Sequence, residues 1–358
     1  MWTLDLPDLA RMGLGARVLS AGGGGDVFSA GLVVHQAIED HGPIRVVALS
    51  ELPDDANLAT IAVIGAPTAM NEKIATGRQI VAVMAALTAR TGRPLDAVLP
   101  LEVGGMNTFI PLALAAELGA PCVDADGMRR VLPKGELTTF TLGGVAAAPL
   151  AVGDEKGNIM LFDSASNKLA CDIARRTSMA LGLACVMACY PMTAAQAKST
   201  AVDRSLSYCL QVGRLLEAVR QGGDDGWAAF FAGTGGRLLY EGRVIGVDRE
   251  PTHDFPRGSI TLESVTDRLS TLRIEMQNEL VLAIKDGHVV VTPPDLLCLL
   301  DLDNSEPLTT EELVYGQRAR ILALPAAPEW WRPGVLDLVG PKAFGYDVSP
   351  VAFPKEDR

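Results

Sequence analysis

The chain has 358 residues, more than the ~250–300 at which a single hydrophobic core stops growing, so two domains are expected. Apolar residues make up 48% and charged residues 21%, which excludes wholesale disorder. The net charge of −12 argues against a nucleic-acid partner, which would need a basic face, and against an anionic membrane surface.

The longest apolar stretch, Met179 to Tyr190, is 12 residues long, against the ~20 that a spanning helix needs. The opening MWTLDLPDLA has neither the basic start nor the apolar core of a signal peptide. A cytoplasmic protein is therefore expected, with no membrane partner. The six cysteines (122, 171, 185, 189, 209 and 298) form no CxxC pair and read as reduced, buried thiols.

In chain order, ARVLSA from Ala16 reads as a strand that runs into the glycine turn Gly22–Gly25. Phe28 to Asp40 reads as a helix, and IRVVAL as a second strand. NLATIAVIG reads as a third strand, with a helix as the alternative. EKIATGRQIVAVMAALTART carries apolar residues at helical spacing. DAVLPLEV reads as a strand, NTFIPLALAAEL as a helix, and PCVDADG as a strand ending in a turn. Apolar strands separated by helices predict an α/β domain over 1–163 with a mainly parallel sheet.

The remainder, 164–358, reads as a second domain. Helices occupy about 166–221, with Ser166 to Leu183 and Asp203 to Gln221 as the segments. A β-rich region follows over about 227–325, and a tail from Ala326, rich in Pro, Gly and aromatics, wraps over the molecule. RLLYEGRVIGVDRE predicts a hairpin around Glu241-Gly242, and Asp286-Gly287 predicts another. RIEMQNELVLAI reads as one alternating strand with Ile274, Met276, Asn278 and Leu280 on its apolar face. The strands of this β-rich region are expected to help close a site at the domain interface.

Four consecutive glycines are more than a turn needs, and each extra one costs roughly 0.5–1 kcal/mol relative to Ala. Gly22, Gly23, Gly24, Gly25 and Asp26 are therefore candidate ligand-binding residues, with main-chain N–H groups and a helix start facing an anion. The run lacks GxGxxG spacing and a GK[ST] ending, so no nucleotide cofactor is expected. Glu102, at the end of DAVLPLEV, Asn107, at the next helix start, and Asp124 and Asp126, in PCVDADG, are candidate catalytic residues. They would share the rim beyond the carboxyl ends of the strands. Each also has a structural alternative: Asn107 as a helix cap, Asp126-Gly127 as a turn. A carboxylate site for a divalent cation stays open. The four histidines (35, 41, 253 and 288) lack ligand spacing, so a histidine-built zinc site is not expected. Cys185 and Cys189, placed i, i+4 on an apolar helix, read as buried thiols. Thr309-Thr310-Glu311-Glu312 reads as a capping box before a short helix.

GGGGD, LEVGGMNTFIPLALAAELGAPCVDADGM, PDLLCLLDLDNSEPLTTEELVYGQRARIL and LVGPKAFGYD together resemble the S-methyl thiohydantoin desulfurase family, encoded beside hydantoinase/oxoprolinase-type enzymes. The resemblance extends over nearly the whole chain. It departs from the family pattern at Val27-Phe28, where a Pro-aromatic pair is common, and after DADGM. The resemblance implies an intracellular hydrolase that replaces the C2 sulfur substituent of a thiohydantoin ring with oxygen. It also implies an N-terminal α/β domain followed by a β-rich one. Asp124 or Asp126 would act as base or bind a metal, while Glu102 and Asn107 orient the ring. A small-molecule substrate is expected, and a homo-oligomer or a hydantoinase-type partner subunit fits this setting. Two other classes compete: a non-catalytic binding or accessory subunit of such a system, and a nucleotide-dependent enzyme, which the missing lysine after the glycines argues against.

Overall fold

A computed structural model describes residues 1–66, 69, 73, 77–250, 257–332 and 334–351. The chain forms two compact units, each discontinuous in sequence. One comprises Met1–Ala16 and Gly24–Leu210, the other Arg17–Gly23 and Gln211–Arg358. Among the described residues, no helix is long and apolar enough to cross a membrane.

The first unit is built on β1 (Trp2–Leu4), α1 (Leu6–Leu19), α2 (Val27–His41), β2 (Ile44–Val47), β3 (Asn57–Gly65), α3 (Gly77–Thr91), β4 (Ala97–Pro100) and α4 (Ile110–Leu118). It continues with β5 (Cys122–Val123), β6 (Ala125–Asp126), β7 (Leu150–Gly153), β8 (Ile159–Phe162), α5 (Asn167–Ala180), β9 (Ala184–Thr193), α6 (Ala194–Thr200) and β10 (Val202–Asp203). Helix α7 (Ser205–Thr234) starts here and is interrupted at Gly223.

Eight strands form one sheet in the order β1-β2-β5-β4-β3-β9-β7-β8, and β6 pairs with β10 separately. The sheet is mixed, which corrects the expectation of a mainly parallel one. It is parallel only through β2, β5, β4 and β3. The flanks are antiparallel because β7 and β8 are joined by a tight turn, and because β9 enters beside β3 from the opposite end. Strand β4 and the first six residues of β3 are wholly buried, which is why these runs are continuously apolar rather than alternating. Helix α4 is apolar on every side and is buried from Ile110 to Ala116.

ARVLSA is not a strand. Leu9, Met12, Ala16 and Leu19, all buried, repeat at helical spacing, so α1 runs through the segment and ends at Leu19. Cys185 and Cys189 lie on strand β9, not on a helix; there the Cys189 thiol meets the Thr60 hydroxyl at 3.3 Å. All six cysteines are buried, and none is in a disulfide.

The second unit holds β11 (Arg237–Glu250), β12 (Arg257–Ser264), β13 (Thr271–Gln277), β14 (Glu279–Lys285), β15 (His288–Val291), β16 (Leu296–Asp301) and β17 (Arg318–Leu324). They form one antiparallel sheet in the order β15-β14-β13-β12-β11-β17-β16. Its buried face gathers Val244, Ile260, Leu262, Leu272, Ile274, Leu280, Leu297 and Ile321. The β-rich part begins later than position 227, since α7 runs to Thr234.

RLLYEGRVIGVDRE is one 14-residue strand, β11, rather than a hairpin. Gly242 serves packing there: a Cβ would lie 2.7 Å from the Tyr240 ring and 2.8 Å from the Glu263 carbonyl. The Asp286-Gly287 turn is present between β14 and β15, with φ of 50° and 83°, the left-handed pair that this turn type demands. RIEMQNELVLAI divides into β13 and β14 at Asn278, whose φ of 66° reverses the chain. Asn278 is thus a turn residue and not a strand amide. Gln277 and Glu279, on either side of the turn, are both buried.

Thr309 and Glu312 make the reciprocal bonds of a capping box, but a turn follows and no helix. The tail packs on its own unit: the Gln277 amide donates to the Phe344 carbonyl, and the Val351 N–H donates to the Thr292 hydroxyl at 2.9 Å.

Candidate functional site

Of the four candidate catalytic side chains, Glu102, Asn107 and Asp126 come together with Gly24 in the first unit, at the carboxyl ends of the parallel strands, whereas the Asp124 side chain turns to Ser207 and Trp2. After β4 the chain runs through Leu101-Glu102-Val103-Gly104 into a short turn of 3-10 helix, Gly105–Thr108. Within it the Met106 N–H donates to the Gly24 carbonyl at 2.7 Å. This contact brings the glycine run to the end of β4, although the run follows a helix and not the strand expected from sequence.

Gly105 allows the approach. Its φ is 56°, and a Cβ there would lie 2.3 Å from the Gly24 oxygen. Gly105→Ala is therefore expected to destabilise the protein by roughly 2–4 kcal/mol, combining left-handed strain with overpacking. Denaturant unfolding measures it, and a loss within a few tenths of a kcal/mol would mean that the two segments do not touch.

Glu102 and Asn107 form a pair. The Asn107 amide nitrogen donates to Glu102 Oε1 at 2.7 Å. The same carboxamide accepts from the Val63 N–H at 2.7 Å and donates to the Val63 carbonyl at 3.1 Å. Asn107 thus mimics a paired strand residue at the end of β3 and fixes the Glu102 carboxylate. Both side chains are largely buried, at 7% and 8% exposure, yet they are the least buried of the four.

The aspartates are more deeply engaged. Asp126 is fully buried. Its Oδ2 accepts from the Val103 N–H at 2.6 Å and from the Arg129 N–H at 2.7 Å, and its Oδ1 accepts from the Ser205 hydroxyl at 2.7 Å. Burial pushes its pKa up to about 6, against the lowering effect of those hydrogen bonds. Asp124 Oδ1 accepts from the Ser207 N–H at 2.9 Å, while its Oδ2 takes the Ser207 hydroxyl and the Trp2 indole N–H. Both carboxylates therefore anchor the first turn of α7, where N–H groups lack helical partners and negative charge is favourable. Ser205, Ser207 and Trp2 were not singled out from sequence. The start of α7 was legible, but nothing in the one-dimensional pattern told which loop it would meet.

The glycine run has a backbone explanation. Gly22, Gly24 and Gly25 have φ of 83°, 83° and 70°. At Gly23 a Cβ would meet Glu279 Oε1 at 2.8 Å. Gly22 and Gly23 belong to the second unit, where the Gly22 carbonyl accepts from the Thr310 N–H at 2.8 Å. Asp26 is the N-cap of α2: its carboxylate accepts from the N–H groups of Phe28 and Ser29. The helix start expected to face a ligand anion thus holds a carboxylate of its own chain.

Among the described residues, no group of three or more His, Cys, Asp or Glu side chains is placed to hold a metal ion. His35 and His41 face Glu39 and Glu117 on and near α2, His288 lies on β15, and His253 is outside the described residues.

These features define a two-unit α/β protein with a carboxylate-amide pair at the strand ends of a mixed sheet. The chain belongs to the S-methyl thiohydantoin desulfurase-like (S-Me-THD-like) family, matching the family's N-terminal domain over residues 7–164 and its C-terminal domain over residues 165–353. The fold is also that of a crystal structure of a protein from Chromobacterium violaceum, with a TM-score of 0.82 and 23% identity over 98% of this chain and 99% of the other. No curated protein matches the chain.

Proposed function

We propose that this protein is a hydrolase that converts an S-methyl thiohydantoin, or a closely related thiohydantoin, into the corresponding hydantoin. Water adds through oxygen to C2 and one of its protons passes to the ring nitrogen; the C2–S bond then breaks as the C2 carbonyl forms, and methanethiol leaves with the second proton. Family membership supports the ring chemistry. The observation that carries the proposal is Glu102, a carboxylate held by Asn107 at the carboxyl end of a parallel strand, where open α/β sheets bind their ligands.

Glu102 is the general base in this reading, and Asn107 is its positioning residue. This departs from the sequence reading, which gave the base to Asp124 or Asp126. Those two carboxylates lie deeper than Glu102 and bind the loop and the first turn of α7, an anchoring role that leaves them a structural part. A thiolate is a good leaving group, so one well-placed base suffices for the first step.

The test is incubation with a panel of S-methyl thiohydantoins, thiohydantoins and hydantoins. Free thiol is read colorimetrically and hydantoin by mass. Stoichiometric release of thiol and hydantoin is expected. Saturable binding of the same compounds without release would replace the enzyme reading with that of a binding or accessory subunit.

A further inference from the structure

A cavity of about 40 Å³ opens in the first unit near the carboxyl end of β3, walled by Val63, Ile80, Met106, Ile110, Cys185 and Val186. All of these but Val63 are at most 6% exposed. The Asn107 carboxamide holds both main-chain groups of Val63 and also the Glu102 carboxylate. A single amide group therefore separates the Val63 main chain from Glu102. Met106, on the adjoining wall, immediately precedes Asn107.

The mouth of the cavity is polar and fixed. The Lys73 ammonium donates to the carbonyls of Leu181 and Ala184 at 2.8 and 2.9 Å and to Glu155 at 3.1 Å, which engages its three N–H groups. Gln79 donates to the Gly153 carbonyl at 2.9 Å and so ties α3 to the end of β7. Gaps in a packed interior ordinarily close as neighbours settle into them. Here the surrounding main chain is held in place, and the space stays open.

Size and chemistry select what can enter. One water takes roughly 30 Å³ of liquid, so this cavity suits a group of about two heavy atoms and excludes a hydantoin ring. Its wall is apolar, and the sulfur atoms of Met106 and Cys185 are polarisable partners for another sulfur. Burial pushes the Cys185 thiol up to about 12, against the lowering effect of Lys73, so it stays protonated and neutral.

We propose that this cavity receives the S-methyl group of a thiohydantoin substrate and that its walls set the size of leaving group the protein accepts. The inference rests on the hydrolase reading above: with Glu102 as base, C2 lies beside it, and the sulfur is bonded directly to C2. A substituent on C5 starts two bonds from C2 and points away from it.

S-methyl, S-ethyl and S-propyl derivatives of one thiohydantoin test the proposal on the full chain, with thiol release read colorimetrically and binding by calorimetry. A methylene too many in an apolar pocket is worth roughly 10–200-fold, so the wild type is expected to prefer S-methyl to S-propyl at least ~10-fold in kcat/KM and in affinity. Ile110→Ala enlarges the cavity and should narrow that preference roughly 10-fold, mainly by improving the S-propyl compound. Where Ile110→Ala folds poorly, Ile80→Val tests the same direction with a smaller effect. Equal handling of the three compounds by the wild type, or a variant that alters S-methyl and S-propyl alike, overturns the proposal and leaves the hydrolase reading standing. Size-selective binding without thiol release keeps the cavity's role and overturns the hydrolase reading. Neither binding nor release removes both.

Discussion

Glu102→Gln is expected to lower the rate of thiol release about 100-fold or more, the low end of what a general base contributes. The substitution separates chemistry from architecture. A glutamine carbonyl oxygen can still accept from the Asn107 amide at the position of Glu102 Oε1, so the bridge from Asn107 to Val63 persists. Only the capacity to take a proton from water is removed. Thermal unfolding and circular dichroism should match the wild type, while the turnover of an S-methyl thiohydantoin collapses and its binding is retained. Unchanged turnover in a folded Glu102→Gln protein would remove this side chain from the mechanism.

Asp126 should show the opposite division, a large effect on stability that depends on the replacement. Asp126→Ala leaves the N–H groups of Val103 and Arg129 without their acceptor in a fully buried place. At roughly 1–3 kcal/mol for each orphaned group, a loss of about 3 kcal/mol or more is expected. Asp126→Asn behaves differently. Its carbonyl can serve the two N–H groups, and its amide can donate to Ser205, whose hydroxyl then turns to the Val202 carbonyl at 3.0 Å. The pH dependence follows from the raised pKa of about 6. Between the ordinary aspartate value of about 4 and that value, the folded state binds more protons than the unfolded one. The contribution of Asp126 to stability is therefore full below this window and lost as pH rises through it. The Asn variant has no such loss. Its stability relative to wild type should rise by roughly 2–3 kcal/mol between pH 4 and pH 7.5. A relative stability that stays flat or falls over that range would show that the wild-type carboxylate is comfortable when charged.

The parallel strands were legible because burial on both faces writes continuous apolar runs, and α2 and α4 because their lengths and apolar spacing are helical. In β11, glycine was taken as punctuation, but Gly242 admits the Tyr240 ring and ends nothing. Asn278 was missed for the complementary reason, since a one-residue reversal leaves the alternating pattern intact on both sides. At the candidate site, the meeting of Glu102, Asn107 and Asp126 followed from where parallel strands end, whereas Gly24 reaches them from the end of a helix. Which partners each carboxylate would find could not be read. Ser205, Ser207 and Trp2 are distant in sequence from the aspartates they bind, and such pairings exist only once the chain is packed.

The place of β9 carries a consequence for synthesis. It sits between β3 and β7, so within the sheet two stretches that leave the ribosome early are linked through residues 184–193. Until those residues emerge, β3 and β7 each present an unpaired edge to a crowded cell. Pairing of this kind closes long loops before it yields contacts, which slows folding and prolongs exposure to aggregation. A nascent chain stalled at residue 163 lacks the strand that completes its own sheet. Chaperone occupancy along translation should accordingly be high from the emergence of β7 and fall once Thr193 has cleared the exit tunnel.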